Sequence, residues 1–383
     1  MKQISVSGTN IISPLGFTSA ENLTMMLNGN SGVAAFNRPK IDDDTIYAAL
    51  FDDNVLHKNS TYANLPAQFT KYEKLLISSI EDAKLNSGVD LSEKETIFIL
   101  STTKGNIALL EEKDISDELI QRMSLFHSGK LVSEYFKNPN DPVIISNACI
   151  SGVAALIYAE RLLQNGDYKN AVVAGADLIS KFVYSGFKSF QALSKGKCKP
   201  FSADRDGINL GEAAATIILT SGATSSKSNL LQVHGGAISN DSNHISGPSR
   251  TGDELGHAIQ QSLIRSKINS DEIGFISAHG TATSYNDEME AKAFYSTGFS
   301  KTPVNSMKGY FGHTLGAAGV LESVVCMMSL LNDVVIPTAG FTSKGVSVDI
   351  NICENQINTK AKYCLKTASG FGGCNASIVF SKS

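Results

Sequence analysis

Along the chain, short runs of β-branched and aliphatic residues alternate with longer stretches whose apolar positions recur at helical spacing. Thr96-Ile97-Phe98-Ile99-Leu100, Val143-Ile144-Ile145, Ala171-Val172-Val173-Ala174-Gly175, Thr216-Ile217-Ile218-Leu219 and Ser377-Ile378-Val379-Phe380 predict strands, as does the run from Ile273 to Ala278. Met1 to Gly8 alternates in the manner of a further strand. Helices are predicted over 69–84, 150–165, 252–267, 286–296 and 316–331. Alternation of this kind implies an α/β fold with helices covering sheets.

The two halves echo one another. Cys149 is followed three residues later by Gly152 and then Val153-Ala154-Ala155-Leu156; His313 is followed three residues later by Gly316 and then Ala317-Ala318-Gly319-Val320-Leu321. Each half closes on a similar strand, Glu212 to Leu219 and Gly373 to Phe380, and the Ser-rich stretch Ser221 to Ser228 separates them. A duplicated unit, residues 1–220 and 221–383, with nucleophile and base at equivalent helix starts, is the simplest account.

Composition narrows the function class. With 383 residues, 42% of them hydrophobic, the chain can bury a large core. A net charge of −4 disfavours nucleic-acid binding. Its six cysteines form no C-x-x-C pair and no zinc-type spacing, so reduced thiols in a cytoplasmic enzyme without a metal are expected. No window reaches the ~18 uninterrupted apolar residues of a membrane span.

The chemistry gathers at a few motifs. Val143 to Ala155 reads as strand, sharp turn and helix, which places Cys149 at a helix N-terminus, a position expected to lower a thiol pKa. His279 leaves a strand end into Gly280-Thr281-Ala282-Thr283, and His313 opens a Gly-flanked turn five residues after Lys308. Glu290 and Asp287 are possible carboxylate partners of this lysine and these imidazoles. Ser369-Gly370-Phe371-Gly372-Gly373-Cys374-Asn375 offers unobstructed backbone N–H groups of the sort that build an oxyanion hole. One thiol, two imidazoles and an ammonium suit an acyl group carried on sulfur and extended by carbon–carbon bond formation. Cys198, Cys326, Cys353 and Cys364 read as core residues, and Cys374 as structural.

Taken in order, these segments resemble the β-ketoacyl-[acyl carrier protein] synthases of the thiolase superfamily, in the Cys-His-His branch. Ser13-Pro14-Leu15-Gly16, Lys199-Pro200-Phe201-Ser202-Ala203-Asp204-Arg205-Asp206-Gly207 and Gly211-Glu212 extend the likeness over nearly the whole chain. The resemblance implies a five-layer αβαβα thiolase-like fold with two pseudo-duplicated halves, and a dimer. It implies that Cys149 accepts an acyl chain from acyl carrier protein. Malonyl-carrier protein then loses CO2 and condenses with that chain, and no cofactor is used beyond the phosphopantetheine arm. His279 and His313 would promote decarboxylation, with Lys308 paired to Glu290. The N–H groups of Cys149 and Phe371 would form the oxyanion hole, Phe371 would gate the acyl pocket, and Thr281 and Thr283 would bind the arm. Lys71, Lys74, Lys199 and Arg205 would meet the acidic carrier.

The stretch from Thr103 to Lys130 is shorter than usual for that family. Smaller or more polar residues are usual at Gly309-Tyr310-Phe311, and an aromatic at Ser369. These departures suggest a specialised synthase for a polyene or polyketide-like chain instead of housekeeping fatty acids, within a broader expectation of fatty acid or polyene/polyketide-like chain elongation. The readings beside it are the catalytic subunit of a heterodimer with a chain-length-factor-like partner, and a non-decarboxylative thiolase, which would need a second, C-terminal cysteine as base.

Overall fold

The computed structural model describes residues 2–111, 114–222, 231–241 and 249–383. Ten principal strands are β1 (Ile4–Ile12), β2 (Thr96–Ser101), β3 (Val143–Ile145), β4 (Asn170–Asp177), β5 (Ala213–Ser221), β6 (Leu231–Asn240), β7 (Ile273–Ala278), β8 (Pro303–Ser306), β9 (Tyr363–Gly370) and β10 (Cys374–Lys382). The helices that matter for the site are α1 (Lys71–Lys84), α2 (Ser151–Asn165), α3 (Asp253–Ser266), α4 (Ser284–Ser296) and α5 (Ala318–Leu331). Every strand and helix predicted from pattern is present. Beyond Gly222, the Ser-rich separator lies outside the described residues.

Strand order repeats. Outward from the centre, one side runs β1-β5-β4-β2-β3 and the other β6-β10-β9-β7-β8, with the short edge strand Asn351–Ile352 beyond β8. Each side pairs its first three strands antiparallel and its last three parallel. Among the described residues, Ile4↔Val233 and Ser5↔Gln232 are the strand pairs that join the two sides. Helix α1 packs on β1, β4 and β5, while α3 packs on β6 and β10 with α4 beside it. Between the two sets of strands lie α2 and α5, in contact with each other and with strands of both sides. These are the five layers αβαβα.

The central layer explains the sequence of its helices. Nearly every side chain of α5, from Ala318 to Leu330, is buried, so that helix is apolar all round and not along one stripe. Helix α2 stops at Gly166, whose φ of 87° is the left-handed turn that caps a helix C-terminus.

At their N-terminal ends, α2 and α5 cross backbone to backbone. A Cβ added to Gly152 would lie 2.5 Å from Val320 N and 2.8 Å from Gly319 Cα; one added to Gly319 would lie 2.4 Å from Val153 N. This crossing corrects the register of the internal echo. Gly152 is matched by Gly319 and not by Gly316, so Cys149 stands two residues before Ser151, the first of α2, while His313 stands five before Ala318, the first of α5. The intervening turn Leu315–Ala317 is a short 3₁₀ segment, which lets His313 reach back toward the sulfur.

Gly319→Ala should destabilise the protein by about 3 kcal/mol, because both sides of the contact are main chain and neither can move aside. Gly186→Ala is the contrast, since a Cβ there meets nothing within 4 Å, and it should be neutral or slightly stabilising. Urea midpoints of the two variants against the parent chain check this; equal midpoints would remove the crossing as a constraint.

Candidate active site

Cys149 sits on the turn from β3 into α2. Ala148 before it has a φ of 45°, in the left-handed region. Ser151 pins that strained turn: its Oγ accepts from Asn147 N–H (2.8 Å) and its O–H donates to Ala148 O (2.6 Å). The thiol is 8% exposed. Burial pushes its pKa up to about 12, with the Cys374 thiol adding to the effect; the Lys308 ammonium and the Phe371 backbone N–H, directed at the sulfur, oppose it. Position at a helix start was expected to lower this pKa. Desolvation outweighs it, so the resting sulfur is a thiol.

The 279–283 loop is held from below by Glu290 on α4. His279 N–H donates to Glu290 Oε1 (2.8 Å) and Gly280 N–H to Oε2 (2.6 Å), while Asn286 Nδ2 (2.9 Å) and Thr367 Oγ1 (3.1 Å) complete that carboxylate's partners. Ser306 O–H donates to Gly280 O (2.7 Å). Asp287, whose carboxyl burial pushes up to about 7, accepts from Phe201 N–H (2.7 Å) and Ala282 N–H (3.2 Å). Thr281 and Thr283 face each other with hydroxyls 2.8 Å apart.

His313 donates its own N–H to Asn209 O (2.7 Å), and its Nδ1 accepts from Leu315 N–H (3.3 Å). That bond assigns the proton of the neutral ring to Nε2, which has no partner among the described residues; His279 Nδ1 has none there either. The two rings lie 5.1 Å apart at 84°. Burial, then the Lys308 charge, pushes both pKa values well below 6.5, with Lys366 adding to it in each. Both imidazoles are therefore neutral. Cys149 Sγ and a ring nitrogen of each histidine all lie within 4.8 Å of one another.

Behind the rings lies a buried charge cluster that sequence reasoning missed. Lys308 pairs with Glu322 Oε1 on α5 and not with Glu290, which correction follows from Glu290 being committed to the 279–280 backbone. Lys366 on β9 lies 2.6 Å from the other oxygen, Glu322 Oε2. Desolvation first, and Lys366 as well, lower the Lys308 pKa. A second missed carboxylate, Asp177 at the end of β4, accepts from Gly316 N–H (2.7 Å), Thr103 N–H (2.9 Å) and Thr102 O–H (2.7 Å), and so ties the turn after His313 to the other half. The signal for all three was a lone charge inside an apolar run.

Phe371 tops the loop between β9 and β10, 38% exposed, where Gly372 and Gly373 both adopt positive φ. Gly370 lets this loop come close: a Cβ there would lie 3.0 Å from Cys149 N. The Phe371 ring packs on Phe187 (5.8 Å) and Phe190 (5.3 Å), and Phe187 also meets His313 (6.4 Å).

Of the basic candidates, Lys199 pairs with Asp204 and is 38% exposed. Lys71 pairs with Asp53 (3.0 Å) and Glu212 (3.4 Å), and Lys74 lies over the Tyr62 ring. Arg205 differs: its guanidinium is 8% exposed and donates to Ser202 O, Gly345 O, Ser284 O and Thr283 O. It staples loops together, with four of its five N–H donors spent on main-chain carbonyls.

The arrangement is that of a buried thiol nucleophile beside two neutral proton donors or acceptors. Cys149, His279 and His313 would suffice by ligand type to hold a metal ion, but the Lys308 and Lys366 charges that already act on both imidazoles work against a further cation there.

Two family models match the sequence: "Beta-ketoacyl synthase, N-terminal domain" over residues 1–225 and "Beta-ketoacyl synthase, C-terminal domain" over residues 230–342. The chain is 25% identical over 409 residues to the 3-oxoacyl-[acyl-carrier-protein] synthase 2 of Staphylococcus aureus (strain COL), covering 100% of this chain and 98% of that protein. Its fold superposes on the ishigamide ketosynthase/chain length factor with a TM-score of 0.88 at 23% identity, covering 100% and 99% of the two chains. A type II PKS acyl-carrier protein in complex with its ketosynthase bound to the hexaketide gives a TM-score of 0.85 at 21% identity, with 100% of each chain covered.

With its pKa near 12, Cys149 should react with iodoacetamide about tenfold faster for each pH unit between 7 and 10, following the thiolate fraction. Mass spectrometry of the Cys149 peptide measures this. A rate that levels off below pH 8 would indicate a resting thiolate and overturn the assignment.

Proposed function

The chain belongs to the β-ketoacyl synthase family, and on that premise we propose that it carries out the decarboxylative Claisen condensation of a Cys149-bound acyl chain with malonyl-[acyl carrier protein]. The observation that carries this reading is the meeting of the Cys149 sulfur with two neutral imidazoles within 4.8 Å. In the first half-reaction the sulfur bonds the carbonyl carbon of a carrier-protein thioester. The bond to the phosphopantetheine sulfur breaks, and the Cys149 proton leaves with that thiol. A neutral imidazole takes the proton during attack, which a thiol of high pKa requires. In the second, the malonyl thioester loses CO2 and the electron pair remains as an enolate, its oxygen held by imidazole N–H groups. The enolate carbon bonds the carbonyl carbon of the Cys149 thioester, the carbon–sulfur bond breaks, and the sulfur takes up one proton from solvent through an imidazole, the proton that the condensation consumes. The N–H groups of Cys149 and Phe371 hold the acyl oxygen, Lys308 and Glu290 position the site, Phe371 covers it, and Thr281 and Thr283 receive the arm.

We treat residues 1–220 and 221–383 as the two copies of a duplicated unit, a reading supported by the shared strand order. The enzyme works in the cytoplasm and needs no cofactor beyond the arm. Six free cysteines accord with that compartment, and no helix among the described residues is long and apolar enough to cross a membrane. A second synthase-like chain, identical or a chain-length-factor-like one, completes the dimer, and the product serves fatty acid or polyene/polyketide-like elongation. The thiolase reading is weaker, because the Cys374 thiol donates to Phe371 O (3.4 Å) and burial raises its pKa, which leaves the imidazoles as the better bases. Acyl carrier protein docks on Lys71, Lys74, Lys199 and Arg205.

Cys149→Ala should abolish condensation, by about a thousandfold or more, while unfolding at the same urea concentration as the parent. After incubation with acyl-carrier thioesters, intact mass should show one acyl adduct on the parent chain, at Cys149, and none on the variant; an adduct elsewhere would sink the proposal. Lys199→Glu should weaken carrier-protein binding at low salt, and the difference should shrink as salt is added. Equal affinities at low salt would rule that lysine out.

A further inference from the structure

Strand β9 carries a lysine into a layer where water has no access. Lys366 is fully buried. Its Nζ donates to Ser277 O (3.2 Å) and Ala278 O (3.1 Å) and lies 2.6 Å from Glu322 Oε2. Ser277 and Ala278 end β7, and the next residue is His279. The other Glu322 oxygen holds Lys308. Two ammonium groups thus share one carboxylate, an arrangement costly to bury and not needed to neutralise Glu322, which Lys308 alone would satisfy.

Three oxygens converge on Lys366 Nζ, and two of them are main-chain carbonyls whose direction sets the exit of β7. The groups that face it are Glu322 and Cys326 from α5, Glu290 from α4, and Lys308, His279 and His313 from the site, with Cys364 two residues back on its own strand bonded to Cys326. The Lys308 and Lys366 charges both reach the two imidazoles, and ammonium is the sign that an arriving malonyl carboxylate and a developing enolate favour.

We propose that Lys366 is a positioning residue of the condensation site, an ammonium supplied by the chain itself that aims the Ala278–His279 main chain and anchors Glu322, and through it Lys308, for the decarboxylation half-reaction. The inference rests on the decarboxylative reading above. It separates the two half-reactions: acyl transfer needs the sulfur and the backbone donors, whereas loss of CO2 needs the aimed imidazoles. It also specifies a cavity. With the side chain shortened, two carbonyls and a carboxylate remain around a space that fits a free ammonium ion.

The experiment uses the full-length chain with acyl- and malonyl-carrier protein thioesters, measuring Cys149 acylation and CO2 release separately. In Lys366→Met, CO2 release should fall about 100-fold while acylation stays within about threefold of the parent. In Lys366→Ala, ammonium or methylammonium chloride should restore about tenfold of the lost rate, and tetramethylammonium chloride, too large for the space, should restore none. CO2 release at the parent rate in Lys366→Met, or an equal loss of both half-reactions that ammonium leaves unchanged, overturns the proposal. If the parent chain itself releases no CO2, the decarboxylative reading fails and takes this one with it. Should neither variant fold, nitrogen-15 NMR of lysine-labelled parent chain decides: a charged Lys366 Nζ supports the role and a neutral amine refutes it.

Discussion

The crossing of α2 over α5 at Gly152 and Gly319 is the contact on which the rest of the molecule depends. With no Cβ on either side, the two main chains approach to a distance that any side chain would prevent. The close approach brings the first turns of two central helices together, and the segments just before them carry Cys149 and His313. Two outer sheets joined by two residue pairs among the described residues could otherwise slide or splay; the packed helix pair between them supplies the missing rigidity. The reactive sulfur and one of its imidazoles are therefore products of one helix crossing.

Electrostatics inside that frame run against the usual preference of charges for water. Lys308, Lys366 and Glu322 are all buried, as are Glu290, Asp287 and Asp177. Each carboxylate is satisfied by backbone N–H groups or ammonium, and each fixes a particular loop: Glu290 the 279–280 peptide, Asp287 the turns at 201 and 282, Asp177 the turn at 316. Such groups are destabilising where they sit unless fully partnered, so their density around one thiol marks where stability is given up for placement. The same low-dielectric pocket keeps both imidazoles neutral and the thiol protonated. Deprotonation is thereby tied to the moment of attack, because the resting site holds no stored thiolate.

Pattern alone revealed much of this chain. Apolar runs such as Thr96–Ser101 and Ala171–Gly175 are buried on both faces, so they read as strands without ambiguity. Strands β8 and β9 were harder, for physical reasons. Pro303-Val304-Asn305-Ser306 is too short to show a period, and Lys366 and Thr367 interrupt the apolar run of β9 because that strand carries part of the site. Arg205 read as one of four basic residues that would meet the carrier, and four of its N–H donors go to carbonyls from segments as distant as Gly345. Nothing within ten residues of Arg205 could have announced that.

The chemistry-bearing residue types, their order and their placement at strand ends and helix starts were decided by local sequence, because turn chemistry and hydrophobic period act over a few residues. Cys149, His279, Lys308 and His313 were legible for that reason. Partner choice was not. Whether Lys308 meets Glu290 or Glu322, which glycine of the second half faces Gly152, and whether burial or the helix terminus governs the Cys149 thiol all depend on how separate strands and helices are packed against one another. That arrangement comes from packing two sheets on a shared helix pair, and desolvation exists only once that packing has excluded water.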